Sequence, residues 1–195
     1  MNRNAAEAKM ISPVYFPNVK LEVQIERKYD CFNQAIVNLF SSFPSINLTL
    51  EYIENAVRKA KISDLNQAKD IKFIKTILRS FLAKKEMAIS ISSSFPHGNS
   101  QYPDWPTVIS KTPSDSHLLL ILGTCQSNSL INHFIGVNLL TNVAFDSSIP
   151  CVAFKFNIRS IAQLVLKTPL AVASITFVGG KHLQTMLFPM MSNNE

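Results

Sequence analysis

The chain has 195 residues, enough for one domain with a sizeable core. With 47% apolar and 16% charged residues it should fold, and five glycines beside ten prolines exclude collagen-like or linker-dominated architectures. The net charge of +6 is unevenly placed: nine Lys or Arg and only two acids, Asp64 and Asp70, lie between Arg58 and Lys85. No apolar run reaches membrane-spanning length, the longest being the strand-sized Leu118–Leu122 and Leu170–Val178, and the first nine residues lack an apolar signal core. Three cysteines cannot all pair, which fits a reducing compartment. A cytoplasmic or nuclear protein without a membrane partner is therefore expected.

In chain order, residues 1–12 read as a flexible N-terminus. Val19, Leu21, Val23 and Ile25 alternate with polar residues, which predicts an extended segment within 14–25. After Cys31 the period changes. Ala35, Ile36, Leu39, Phe40 and Phe43 mark one face of a buried helix that Pro44 ends. Thr49 is placed to cap a second helix through about Lys61, with Leu50, Ile53, Ala56, Val57 and Ala60 inward. Asp64 and Gln67 have the spacing of a capping box for a third helix reaching about Lys84. Ala88–Ser92 reads as a strand, and Ser92–Ser116, with five Pro or Gly and the only tryptophan, as a long irregular stretch.

The last third reads as strands at His117–Cys125, Asn132–Leu140 and Val143–Ser147, a helix at Phe156–Lys167 and a strand at Ala171–Val178. Gly179-Gly180 then suits a hairpin into His182–Phe188. Helices first and strands after predict an α+β domain over 13–190, with a helical part at about 31–85, an antiparallel sheet part at about 87–188 and a tail at 191–195.

The chemistry concentrates on three residues. Cys31 stands where a polar turn gives way to a helix, and the free N–H groups of a first turn favour an anion. A thiol nucleophile also needs an imidazole in contact and a third group to orient that imidazole. His133, opening a strand, and Asp146, just across the turn at 140–142, fit those roles; antiparallel pairing about that turn sets Asp146 opposite roughly Phe134–Val137, near His133 diagonally or just past it. Cys125 and Cys151 lie in apolar, strand-like surroundings and read as small core residues, and His97, His117 and His182 have no comparable partners. The Cys and His spacings fit no zinc motif, so neither metal nor cofactor is expected.

The order Cys31, His133, Asp146 resembles the papain-like cysteine peptidases, and within them most the Josephin-type deubiquitinases: Cys31 opens a helix, a helical part follows, and His133-Phe134 begins a strand. Asp30-Cys31-Phe32 is also similar to OTU-type enzymes, without their intervening Gly. The resemblance implies a papain-like fold, a protein or peptide substrate such as a ubiquitin-like tail, and an oxyanion hole from the Cys31 N–H and an upstream Gln. Gln24 is the candidate, seven residues before Cys31 and farther than the family's usual spacing, with Asn33 or Gln34 as substitutes. Trp105 is the candidate substrate-binding aromatic, and Glu22, Glu26, Asp30, Asp104 and Asp115 the acids for a basic tail.

Two other readings stand beside peptide or isopeptide hydrolysis. One is a Cys-His-Asp acyltransferase. The other is a catalytically inactive protease-fold module that binds an acidic partner or nucleic acid through the basic helices of 58–85.

Overall fold

The computed structural model describes residues 13–16, 20–22, 30–43, 46–59, 61, 71–83, 88–94, 105–110, 112–125, 132–148, 152–157, 166–178 and 191–192. The N-terminus at 1–12, the Asp64–Gln67 box, the hairpin at 179–188, Gln24, Glu26, Asp104 and Cys151 lie outside them.

Helix α1, Asp30–Ser41, is buried at every position from Cys31 to Phe40. Sequence periodicity predicts only one buried face; the helix is buried on its polar face as well. Its buried polar residues are therefore held rather than solvated. Asn38 is fully buried and clasps the backbone of Glu22, accepting from its N–H at 2.7 Å and donating to its carbonyl at 2.9 Å. Helix α2, Leu50–Lys59, starts as expected: Thr49 Oγ1 accepts the Tyr52 N–H at 3.2 Å. Helix α3, Ile71–Ala83, buries Ile77, Leu78 and Leu82, and its Phe81 meets Tyr52 of α2 edge-on at 5.0 Å.

The strands are β1 Val14–Tyr15, β2 Ala88–Ser94, β3 Leu118–Cys125, β4 Asn132–Asn138, β5 Val143–Phe145, β6 Ala153–Lys155, β7 Leu166–Val178 and β8 Met191–Ser192. Six form one antiparallel sheet in the order β2-β7-β3-β4-β5-β6, and β1 pairs with β8. The fold is thus α+β. One apolar cluster fills the space between α1–α3 and the sheet. A second, with Leu119, Ile121, Ile135, Val137 and Ala144, lies on the other face beneath Trp105 of the short helix α4, Trp105–Ser110.

Four expectations change. The predicted helix at Phe156–Lys167 does not reach its C-terminal end: Leu166 and Lys167 already belong to β7, Leu166 pairing with Cys125. Pro169 disfavours helical backbone at Thr168, and pairing with β3 takes the chain the other way. Pro169 is tolerated in this strand because β2 ends at the Ser94–Val172 pair, leaving its missing N–H without a ladder bond to make on that side. Helix α4 interrupts the stretch expected to be irregular, with Pro106 in its first turn, where no N–H is required. Among the described residues of the extended segment at 14–25, Val14–Tyr15 form a strand, and its partner is Met191–Ser192, assigned to the tail. Strand β6, three residues long, is too short to show alternation.

What positions the site is the match between α1 and β4. Phe32 meets Phe134 edge-on at 5.1 Å, Ala35 and Leu39 pack over Gly136, and Ser42 Oγ accepts from Asn138 Nδ2 at 3.0 Å. Helix and strand run side by side in the same direction. About 16 Å of helix rise from residue 31 to 42 matches about 16 Å of strand from 133 to 138, so Cys31 comes out level with His133. Gly136 permits the approach: a Cβ there would lie 3.1 Å from both the Ala35 carbonyl oxygen and Leu39 Cβ. Gly136→Val should lower unfolding free energy by about 2 kcal/mol, read as a lower denaturant midpoint, and should slow thiol alkylation kinetics differently from a remote Val substitution of equal cost.

Candidate active site

The β4–β5 register pairs Gly136 with Phe145. One further step sets Asp146 opposite Ile135, diagonal to His133 on the same face. That is the diagonal placement expected from the turn. The two side chains meet: His133 Nε2 lies 2.7 Å from Asp146 Oδ1, with the side chains 5% and 1% exposed. Cys31 completes the group: its thiol stands close enough to His133 to strengthen the imidazole's hold on its proton. With Nε2 on the carboxylate, Nδ1 is the ring nitrogen left for the thiol. His133 shares the parity of Ile135, which belongs to the second cluster. The imidazole is thus carried on the face away from the body of α1, and Cys31, in the first turn, meets it at the beginning of the strand.

Burial alone would push the His133 imidazole down. The hydrogen bond to Asp146, the nearby Cys31 thiol and the charges of both outweigh it and raise the group from 6.5 to about 10. The ring is therefore an imidazolium at neutral pH, held between a sulfur and a carboxylate. Asp146 is itself fixed. Its Oδ1 also accepts the Ser148 N–H at 2.8 Å and the Ser148 hydroxyl at 2.7 Å, and its own N–H donates to the Val152 carbonyl at 2.8 Å. Val152 is β-branched and buried yet has a φ of 52°, a strained conformation of the kind that persists where the surroundings over-determine it.

Cys125 is a second thiol close enough to feel the others. Burial pushes it up from 9.0, and the negative charges of Asp146 and Cys31 push it further the same way. It is only half-buried, not the core residue its apolar strand suggests, and its raised thiol makes it the weaker nucleophile of the two. Sequence parity could have flagged it, because β3 pairs Gly123 with His133 and Cys125 lies two residues on. Ser148 and Val152 gave a weaker sign: Asp146-Ser147-Ser148 reads as a turn, and nothing local marks Val152.

Other expected site residues fall elsewhere. Trp105 is 5% exposed and packs in the second cluster, so its ring fills a core instead of presenting a surface to substrate. Asn33 and Gln34 are buried in the first two turns of α1. Asp115 is exposed near the Leu118 end of β3, where its carbonyl accepts from Thr176. The triad lies at the opposite end of that strand, about 17 Å away by strand rise, so Asp115 does not line it. His117 is structural: its Nδ1 accepts the Phe177 N–H at 2.9 Å and its ring stacks on Phe177. Among the described residues no cluster suited to a metal ion occurs, and no helix is long and apolar enough to cross a membrane.

No protein-family profile, curated protein or solved structure matches the chain. The geometry of the site is what bears on function.

Proposed function

We propose that the chain is a papain-like thiol hydrolase in which Cys31 attacks a peptide or isopeptide carbonyl, His133 pairs with the thiolate and protonates the leaving amine, and Asp146 orients His133. The single observation that carries this is the buried His133–Asp146 pair at 2.7 Å, with the Cys31 thiol near enough to bind the imidazole's proton more tightly. Three residues, from the start of a helix, from a strand and from the turn after another strand, converge there. A covalent acyl-thiol intermediate and its hydrolysis follow from that arrangement. The Josephin-type layout makes a ubiquitin-like C-terminal tail the first substrate to try.

The test is labelling with a peptide or ubiquitin carrying a C-terminal electrophile, with the modified residue located by mass spectrometry. Modification at Cys31 that is blocked by prior alkylation supports the reading; no modification, or modification at Cys125 alone, removes it.

A second reading, a protease-fold module without turnover, draws on a different observation. Cys31 is only 2% exposed, so a polymer tail reaches it only after its cover has opened. Arg58, Lys59, Lys61 and Arg79 are exposed and would carry the acidic partner or nucleic acid. In that case a small alkylating agent labels Cys31 under mild denaturation, the ubiquitin electrophile does not, and polyanion binding falls steeply with salt.

A further inference from the structure

We propose that Ser148 is a positioning residue of this site, setting the rotation of the Asp146 carboxylate and through it the orientation of the His133 ring. The inference deepens the thiol-hydrolase reading and rests on it for its kinetic consequences, though not for its structural ones.

The Asp146 carboxylate is bonded one-sidedly. Oδ1 takes three donors: His133 Nε2 at 2.7 Å, the Ser148 N–H at 2.8 Å and the Ser148 hydroxyl at 2.7 Å. Oδ2 is buried and has no hydrogen-bond partner among the described residues. The terminal torsion of an aspartate is broad and nearly two-fold, so the side chain has no strong preference of its own for which way its plane faces. Something outside it must choose. Besides His133, whose orientation is the thing to be explained, both donors on Oδ1 come from Ser148.

The two Ser148 donors differ in kind. The backbone N–H closes an Asx turn, which any residue but proline would supply at this position. The hydroxyl is specific to Ser or Thr and approaches as closely as the imidazole does. Ser148 is exposed, whereas Asp146 is 1% exposed, so the lock reaches a buried carboxylate from a surface turn. A side chain whose only task was to form the turn would not need the second bond. With it, the Oδ1 lone pair stays aimed at His133 Nε2. Without it, the carboxylate can rock about its last torsion, held on Oδ1 by the Ser148 N–H and His133 alone among the described residues.

The experiment compares Ser148→Ala, which keeps the N–H and loses the hydroxyl, with Ser148→Thr, which keeps both. The His133 imidazole is titrated by NMR in the free protein, a readout that needs no substrate and survives failure of the hydrolase reading. Ser148→Ala should titrate below the wild type, Ser148→Thr should restore it, and the thermal midpoint should hardly move. In a turnover assay kcat should fall about tenfold or more with KM unchanged, as loss of one hydrogen bond to a charged group warrants. A His133 titration that is unchanged or raised in Ser148→Ala, or that Thr fails to restore, overturns the proposal, because the hydroxyl would then serve only the turn or draw charge from the carboxylate. A lowered titration in a chain that shows no turnover upholds the positioning role and removes the hydrolase reading instead.

Discussion

Cys31→Ala should abolish probe labelling and reduce any hydrolysis by about 10⁴-fold or more, the loss expected when a covalent nucleophile is removed. His133→Ala should come close to it at pH 7 but differ in its pH dependence. In the wild type His133 is raised to about 10, so the imidazolium that protonates the leaving group is present across the neutral range. The rate should therefore fall as pH rises through about 10. The His133→Ala variant lacks that limb, and its residual alkylation should climb with pH as the thiol ionises unaided. Measuring rate against pH for the three proteins checks this. A wild-type rate that declined near 6.5 would place the histidine outside the reacting pair. Cys125 provides the internal control: its raised thiol should label slowly in all three proteins.

Asp146→Ala should have the next largest effect, on stability as well as rate. It leaves a buried imidazolium without its carboxylate, and breaking a buried ion pair by removing one partner costs about 3–5 kcal/mol. For a chain of this size that is a fall of about 10 °C in thermal midpoint. The pH dependence has a definite sign. His133 is raised in the folded state, so its contribution is fully present below about 6.5 and is lost as pH climbs through about 10. Wild-type stability should decline over that window, and the decline should flatten in Asp146→Ala. A variant with the wild-type slope would show that Asp146 does not hold the proton on His133. Asp146→Asn should retain more stability than rate, because it keeps a polar partner and loses the charge.

The parts of this site that were legible in the sequence are those that follow a period or a turn. Cys31 was marked by the switch from a polar segment to a helical pattern. Asp146 could be set diagonal to His133 because antiparallel pairing about a known turn fixes which residues oppose one another, and the Gly136–Phe145 register falls there. Thr49 at α2 was legible for the same reason: caps are local. What stayed hidden depends on partners distant in the chain. Leu166 is drawn into β7 by Cys125, some forty residues away, against its own helical spacing. Trp105 looked like a contact for substrate because it sits among prolines, and only the apolar face of the assembled sheet shows it to be core. The clasp of Glu22 by Asn38 spans helix and lead-in segment and has no sequence signature. An antiparallel sheet was foreseeable as a class, but not its strand β6 nor the order β2-β7-β3-β4-β5-β6, in which β7 inserts between β2 and β3.

The side-by-side course of α1 and β4 has a consequence for which length changes this chain can absorb. Deleting one residue between Cys31 and Ser42 turns the thiol by about 100° around the helix axis. Deleting one between His133 and Asn138 moves the imidazole to the opposite face of the sheet. Either slip parts the sulfur from the ring while leaving every element recognisable. Insertions that preserve the pairing of Cys31 with His133 are confined to the connections outside the two segments, so related chains should vary in length there and stay fixed across these twelve helical and seven strand residues.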